Sequence, residues 1–150
     1  MTFLRTLGLT VLLAAGTLAQ AADGMVEIKS PYSAAVTMTR LEDAAKQRGL
    51  VVFARIDHAA GAAKIGKTLR PTEVLIFGNP QGGTPLMECA QTAGIDLPLK
   101  ALVWEDAAAQ VWVGYNDPAF LVQRHGAPQC AVVDNLRKAL AGLADTAVAK

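Results

Sequence analysis

The chain has 150 residues, 52% hydrophobic and 18% charged, with a formal net charge of +1. That length suits one globular domain and leaves no room for a second independent core, and the balanced charge excludes the basic stripe of a nucleic-acid binder and any acidic tail. An aromatic content of 5% argues against a broad aromatic platform of the carbohydrate-binding kind.

Arg5 is the only charge ahead of an apolar stretch from Leu7 to Leu18, and Ala19-Gln20-Ala21 then supplies small residues at both positions a signal peptidase inspects. About a dozen apolar residues fall short of the roughly 20 that a membrane-spanning helix requires. The sequence therefore predicts a signal peptide over 1–21, a single mature domain over 22–150, and a periplasmic or secreted location with no membrane anchor after cleavage. Loss of that leader removes one Arg and no acid, so the mature chain is neutral.

A short strand is predicted over Val26 to Ser30, followed by a helix that Ser33 caps, with Ala34, Met38, Leu41 and Ala45 on one apolar face and Gly49 as its stop. Leu50 to Asp57 is rich in β-formers and reads as a central strand, with Leu50, Val52, Ala54 and Ile56 on one side. His58 to Gly66 reads as one loose helical turn, and Thr72 to Gly78 as a buried strand. Gly78 to Gly83 is turn chemistry, after which Thr84 is expected to cap a short helix with Pro85 at its first position and Gly94 after its end.

Leu99 to Glu105 and Val111 to Asn116 form a hairpin whose tip lacks the expected Gly, and Trp104 opposite Trp112 would make a cross-strand aromatic pair. Asp117-Pro118 opens a helical turn to about His125. A closing amphipathic helix runs from Cys130 to Ala141, turning Val133, Leu136 and Leu140 inward, with Gly142 as its stop. Strands and helices share one sheet-and-helix core. In an oxidising compartment Cys89 and Cys130 are expected to pair, restricting the unfolded chain by about 4 kcal/mol in the loop-entropy model; two buried thiols are the alternative.

Several short motifs occur in one order: Ile56-Asp57-His58, Leu69-Arg70-Pro71-Thr72, Phe77-Gly78-Asn79-Pro80, Gly83-Thr84, Asp96-Leu97-Pro98, Trp104-Glu105-Asp106, Tyr115-Asn116-Asp117-Pro118 and Arg124-His125. This series, spanning roughly Val26 to Leu140, resembles the domain of unknown function 302 family. The resemblance implies an α+β fold, a curved and mainly antiparallel sheet of about five strands covered by helices in a β-α-β-rich-α order, and often a homodimer. It implies no reaction, and a fold alone supplies none. The hairpin tip without Gly and the two cysteines depart from the family pattern.

His58 and His125 are the only histidines. Together with Asp57, Asp117 or Glu105 they would suit a divalent metal of borderline softness, but no pair stands at the spacing of a shared helical face. The alternative has His58 at a strand end and His125 bonded to a backbone carbonyl. The strand, Gly-rich loop and helix start from Gly78 to Pro85 could cradle an anion, although the lysine of a phosphate-binding loop is missing. No Ser lies in a nucleophile elbow and no motif names a cofactor.

Three readings follow. In the first, Asp57, His58, Asn79, Glu105, Tyr115, Asn116, Asp117 and His125 line a site for a small ligand or metal at strand ends and loops. In the second the domain is a homodimeric structural protein without a ligand, and in the third an enzyme uses the same His and carboxylates as acid and base.

Overall fold

The computed structural model describes residues 23–150. The predicted signal peptide lies outside the described residues. Five strands, β1 (Met25–Ser30), β2 (Val51–Asp57), β3 (Thr72–Gly78), β4 (Leu99–Glu105) and β5 (Val111–Asn116), form one sheet in the order β1-β5-β4-β3-β2, and every neighbouring pair is antiparallel. The α+β expectation therefore holds. Helices α1 (Ala34–Gln47) and α5 (Val133–Val148) lie across one face of this sheet. Three further elements complete the domain: α2 (His58–Ala63), α3 (Pro80–Cys89) and α4 (Pro118–Arg124), with a 3₁₀ turn over Gln91–Asp96 between α3 and β4.

The core lies between the sheet and the α1–α5 layer. Met38 and Leu41 of α1 meet Leu75, Phe77, Val103 and Val113 of the sheet and Leu140 and Leu143 of α5, all buried. Each such side chain contributes about 1.5–3 kcal/mol on leaving water. Two polar residues share this core without cost because they satisfy each other: the Ser30 and Thr37 hydroxyls are 2.6 Å apart. Ser33 caps α1 as expected, its hydroxyl accepting from the Val36 amide.

Two arginines bind the helical layer together. Arg40 donates to the carbonyls of Thr146, Ala147 and Ala149 at the C-terminal end of α5, where helical carbonyls lack partners within the helix. Arg48 reaches the carbonyls of Ala139 and Gly142. That contact explains why Gly142 does not stop α5, which continues to Val148. A Cβ at 142 would lie 2.9 Å from Arg48 Nη1, so the residue read as a terminator instead makes room for a guanidinium.

Two other expectations are corrected. β2 is an edge strand, not a central one. Its Val and Phe content suits either place, but Arg55 in mid-strand, paired with Glu73 and with Glu42 of α1, and a bulge at Phe53 between Val52 and Ala54 are edge features. The bulge also reverses the alternation, placing Arg55 on the helical face and Ala54 and Ile56 on the other. The helix expected from Thr84 starts instead at Pro80. Asn79 is its cap, with Oδ1 accepting from the Gly82 amide at 2.9 Å, and Pro85 lies inside it.

The second face of the sheet carries Met25, Val74, Ile76, Leu102, Trp104 and Trp112, all half-buried. Trp104 stands opposite Trp112 as the register expectation required, with ring centroids 6.3 Å apart and planes within 14°. The indole of Trp104 also lies over Gly114, where an added Cβ would stand 2.8 Å from the ring.

Candidate functional site

Antiparallel strands send successive turns to opposite ends, and this divides the eight residues read from the sequence into two groups. Asp57, His58 and Glu105 stand at one end of the sheet, where β2 and β4 finish. Asp57 caps α2 by accepting from the Ala60 amide at 2.8 Å, and His58 is the exposed first residue of that helix. Asn79, Tyr115, Asn116, Asp117 and His125 stand at the other end, where β3 and β5 finish. The seven residues of β3 hold the ends apart by about 20 Å.

His58 and His125, the two candidates weighed for a shared metal, are therefore not brought together in this chain. Among the described residues no group of three or more His, Cys, Asp or Glu side chains is placed to hold a metal ion. The single pocket expected from all eight residues does not form either.

At the second end the motifs do converge. His125 closes α4, and it bonds side chains, where a backbone carbonyl was the alternative. Its Nε2 meets Asp96 Oδ2 at 2.7 Å and its Nδ1 meets Thr92 Oγ1 at 3.0 Å, while Arg124 donates to Asp96 Oδ1 at 3.0 Å. One carboxylate thus joins the Asp96-Leu97-Pro98 and Arg124-His125 motifs and fixes α4 against the 3₁₀ turn. With both ring nitrogens occupied, this imidazole has no lone pair free for a metal. Asp117 caps α4 through the Ala119 amide and pairs with Arg137 of α5. Nearby, burial pushes the Tyr115 hydroxyl above its ordinary pKa, the charges of Asp117 and Asp145 add to this, and Arg137 opposes it.

Between the end of β3, the bulge of β2, α3 and α5 lies a cavity of 610 Å³. Its floor is Phe77, Leu99 and Leu140; Phe53 and Met87 stand at its margin, 57% and 37% exposed. Its polar groups are the side chains of Asn79, Gln81, Thr84 and Asn135 and the backbone of Gly82 and Gly83. None of its lining residues is Asp, Glu, Lys, Arg or His. Gly82 brings the first turn of α3 close to α5, since a Cβ there would stand 3.2 Å from Leu136 Cδ2. A second cavity of 390 Å³ lies beside Tyr115, Asp117 and Arg137.

Of the eight residues, Asn79 lines the larger cavity, and Tyr115 and Asp117 line the smaller. The apolar lining was missed because Leu136 and Leu140 read as ordinary inward positions of the closing helix. The adjacent glycines Gly82 and Gly83 were the available signal, since a helix with two interior glycines is usually one that something approaches closely.

Cys89, the last residue of α3, is bonded to Cys130, with Cα atoms 5.7 Å apart, so the disulfide alternative is the one the structure adopts.

Comparison with known proteins agrees with the fold. A crystal structure of an uncharacterized conserved protein DUF302 from Bacillus stearothermophilus superposes with a TM-score of 0.76 at 23% identity, covering 84% of this chain and 99% of that one. Two proteins named fluoride-specific ion channels are similar to part of the chain: FluC 1 of Brucella suis biovar 1 is 52% identical over 102 residues, 68% of this chain and 40% of that protein, and FluC 2 of Brucella melitensis biotype 1 is 52% identical over 102 residues, 68% of this chain and 38% of that protein. The chain thus spans about two fifths of the length of these relatives. The family model described as domain of unknown function DUF302 matches residues 26–143, most of the described chain. With its motifs joined in this fold, the chain belongs to the DUF302 family.

Proposed function

We propose that the domain binds a small, uncharged and largely apolar molecule in the 610 Å³ cavity. The observation that carries this reading is a cavity of ligand size whose lining is apolar apart from amides, one hydroxyl and backbone, with no ionisable side chain. An ionised ligand group entering it would lose its water and find no counter-charge, a cost that favours neutral ligands strongly. Orientation would come from the amide-bearing rim. Asn79 uses its oxygen to cap α3, which leaves its amide nitrogen as a donor toward the cavity.

Two probes on one skeleton test the charge rule. N-phenyl-1-naphthylamine is uncharged, and 1-anilinonaphthalene-8-sulfonate adds a sulfonate. The neutral probe should bind at least about tenfold more tightly. Ala139→Trp, an exposed α5 position on the cavity wall, should weaken the neutral probe by about the same factor with the melting temperature unchanged. Equal binding of both probes, or a variant that binds like the parent, would remove the reading.

The channel activity named for the Brucella proteins is said of those proteins. Among the described residues no helix is long and apolar enough to cross a membrane, and the shared stretch is about two fifths of their length.

A further inference from the structure

We infer that the Cys89–Cys130 disulfide is a redox clamp on the cavity: its reduction frees α3 and weakens binding of the molecule the cavity holds. This rests on the cavity reading. α3 forms one wall of the cavity and α5 another, and the disulfide ties the last residue of α3 to the segment leading into α5.

By composition α3 is a poor helix. Gly82 and Gly83 are interior, and Pro85 lacks the amide that would bond back to Gln81. Leu86 is its one buried residue. What holds the segment in place is the Asn79 cap at its start, the Leu86 side chain in the cluster with Ala93, Val122 and Leu136, its packing against the 3₁₀ turn, and the covalent bond at its end. Elements anchored by so few buried groups open first.

Access to the bond is also one-sided. Cys89 is exposed and Cys130 is buried, so an incoming thiolate meets the Cys89 sulfur. A dithiol reductant would form a mixed disulfide with Cys89 and expel Cys130 as thiolate, which takes up a proton. The second thiol of the reductant, losing its proton, then displaces Cys89 as thiolate, which is protonated in turn. Two electrons pass to the protein; it gains two thiols, and the reductant leaves as a cyclic disulfide.

The test uses the protein as its host produces it, with N-phenyl-1-naphthylamine as probe, dithiothreitol as reductant and oxidised glutathione to restore the bond. Reduction should weaken probe binding by about tenfold and reoxidation should restore it. Cys89→Ser with Cys130→Ser should bind like the reduced parent and ignore dithiothreitol. Amide hydrogen exchange separates a freed helix from general unfolding: on reduction it should rise over residues 80–89 and stay slow in β3 and β4. Equal probe binding by the oxidised and reduced forms would overturn the clamp while leaving the cavity reading intact, and exchange rising across the whole sheet would overturn it as well. If the oxidised protein takes up no probe the cavity reading falls, and the exchange pattern over 80–89 alone then decides whether the bond restrains α3.

Discussion

Ala109 stands at φ +58°, the backbone region that a Cβ disfavours, at the hairpin tip where a glycine was expected. Asp106 makes that conformation tenable. Its Oδ1 accepts from the amides of Ala108 and Gln110, both at 2.8–2.9 Å, and its Oδ2 accepts from Trp112 Nε1 at 2.8 Å. The tip is therefore specified by a side chain, and relieving its strain should help: Ala109→Gly is expected to stabilise the domain by about 1 kcal/mol in chemical denaturation, and a loss of similar size would contradict this account. The Trp112 indole, more than the two backbone amides, holds the Asp106 carboxyl below the ordinary aspartate pKa of about 3.9. The sign follows directly. A lowered folded value means the contact is complete at neutral pH and is lost only as pH falls through that lowered value. In a Trp104→Phe background, Trp112 emission should hold steady down to about pH 3.9 and change below it, and Asp106→Asn should abolish the change. A transition centred on the ordinary aspartate range would show that the indole does not hold this carboxyl.

Elements were legible where periodicity and caps coincide. Ser33 and Asp117 cap α1 and α4 as read, and the hairpin of β4 and β5 has the expected register through Trp104 and Trp112. In three places a residue type with a strong local meaning was governed by something else. Gly142 looked like a helix stop, but Arg48 occupies the space beside it. Pro85 looked like a first helical residue, yet Asn79 and Pro80 supply an earlier start of the same chemistry. Phe53 looked like one tooth of a regular alternation, whereas the unpaired position at the edge bulge brings it to the cavity margin. Arg48 lies far outside the window that local reading covers, whereas Asn79 lies inside it and was passed over for the later Thr84-Pro85 pair.

At the scale of the molecule, the fold was legible through its motif order, whereas the site was not. Eight polar residues read as one cluster fall at two ends of a sheet because antiparallel connection alternates ends, and only the strand order tells which residues meet. That order brings Asp96, Arg124 and His125 together as a structural knot and leaves between α3 and α5 a chamber without charge. The claim on which the functional account turns is that this chamber is where a neutral molecule sits. Chemical-shift mapping of the ¹⁵N-labelled domain during titration with N-phenyl-1-naphthylamine tests it most directly. The account predicts shifts concentrated at Asn79 to Met87 and Asn135 to Leu143; shifts centred on the Trp104 and Trp112 face, with the chamber silent, would contradict it.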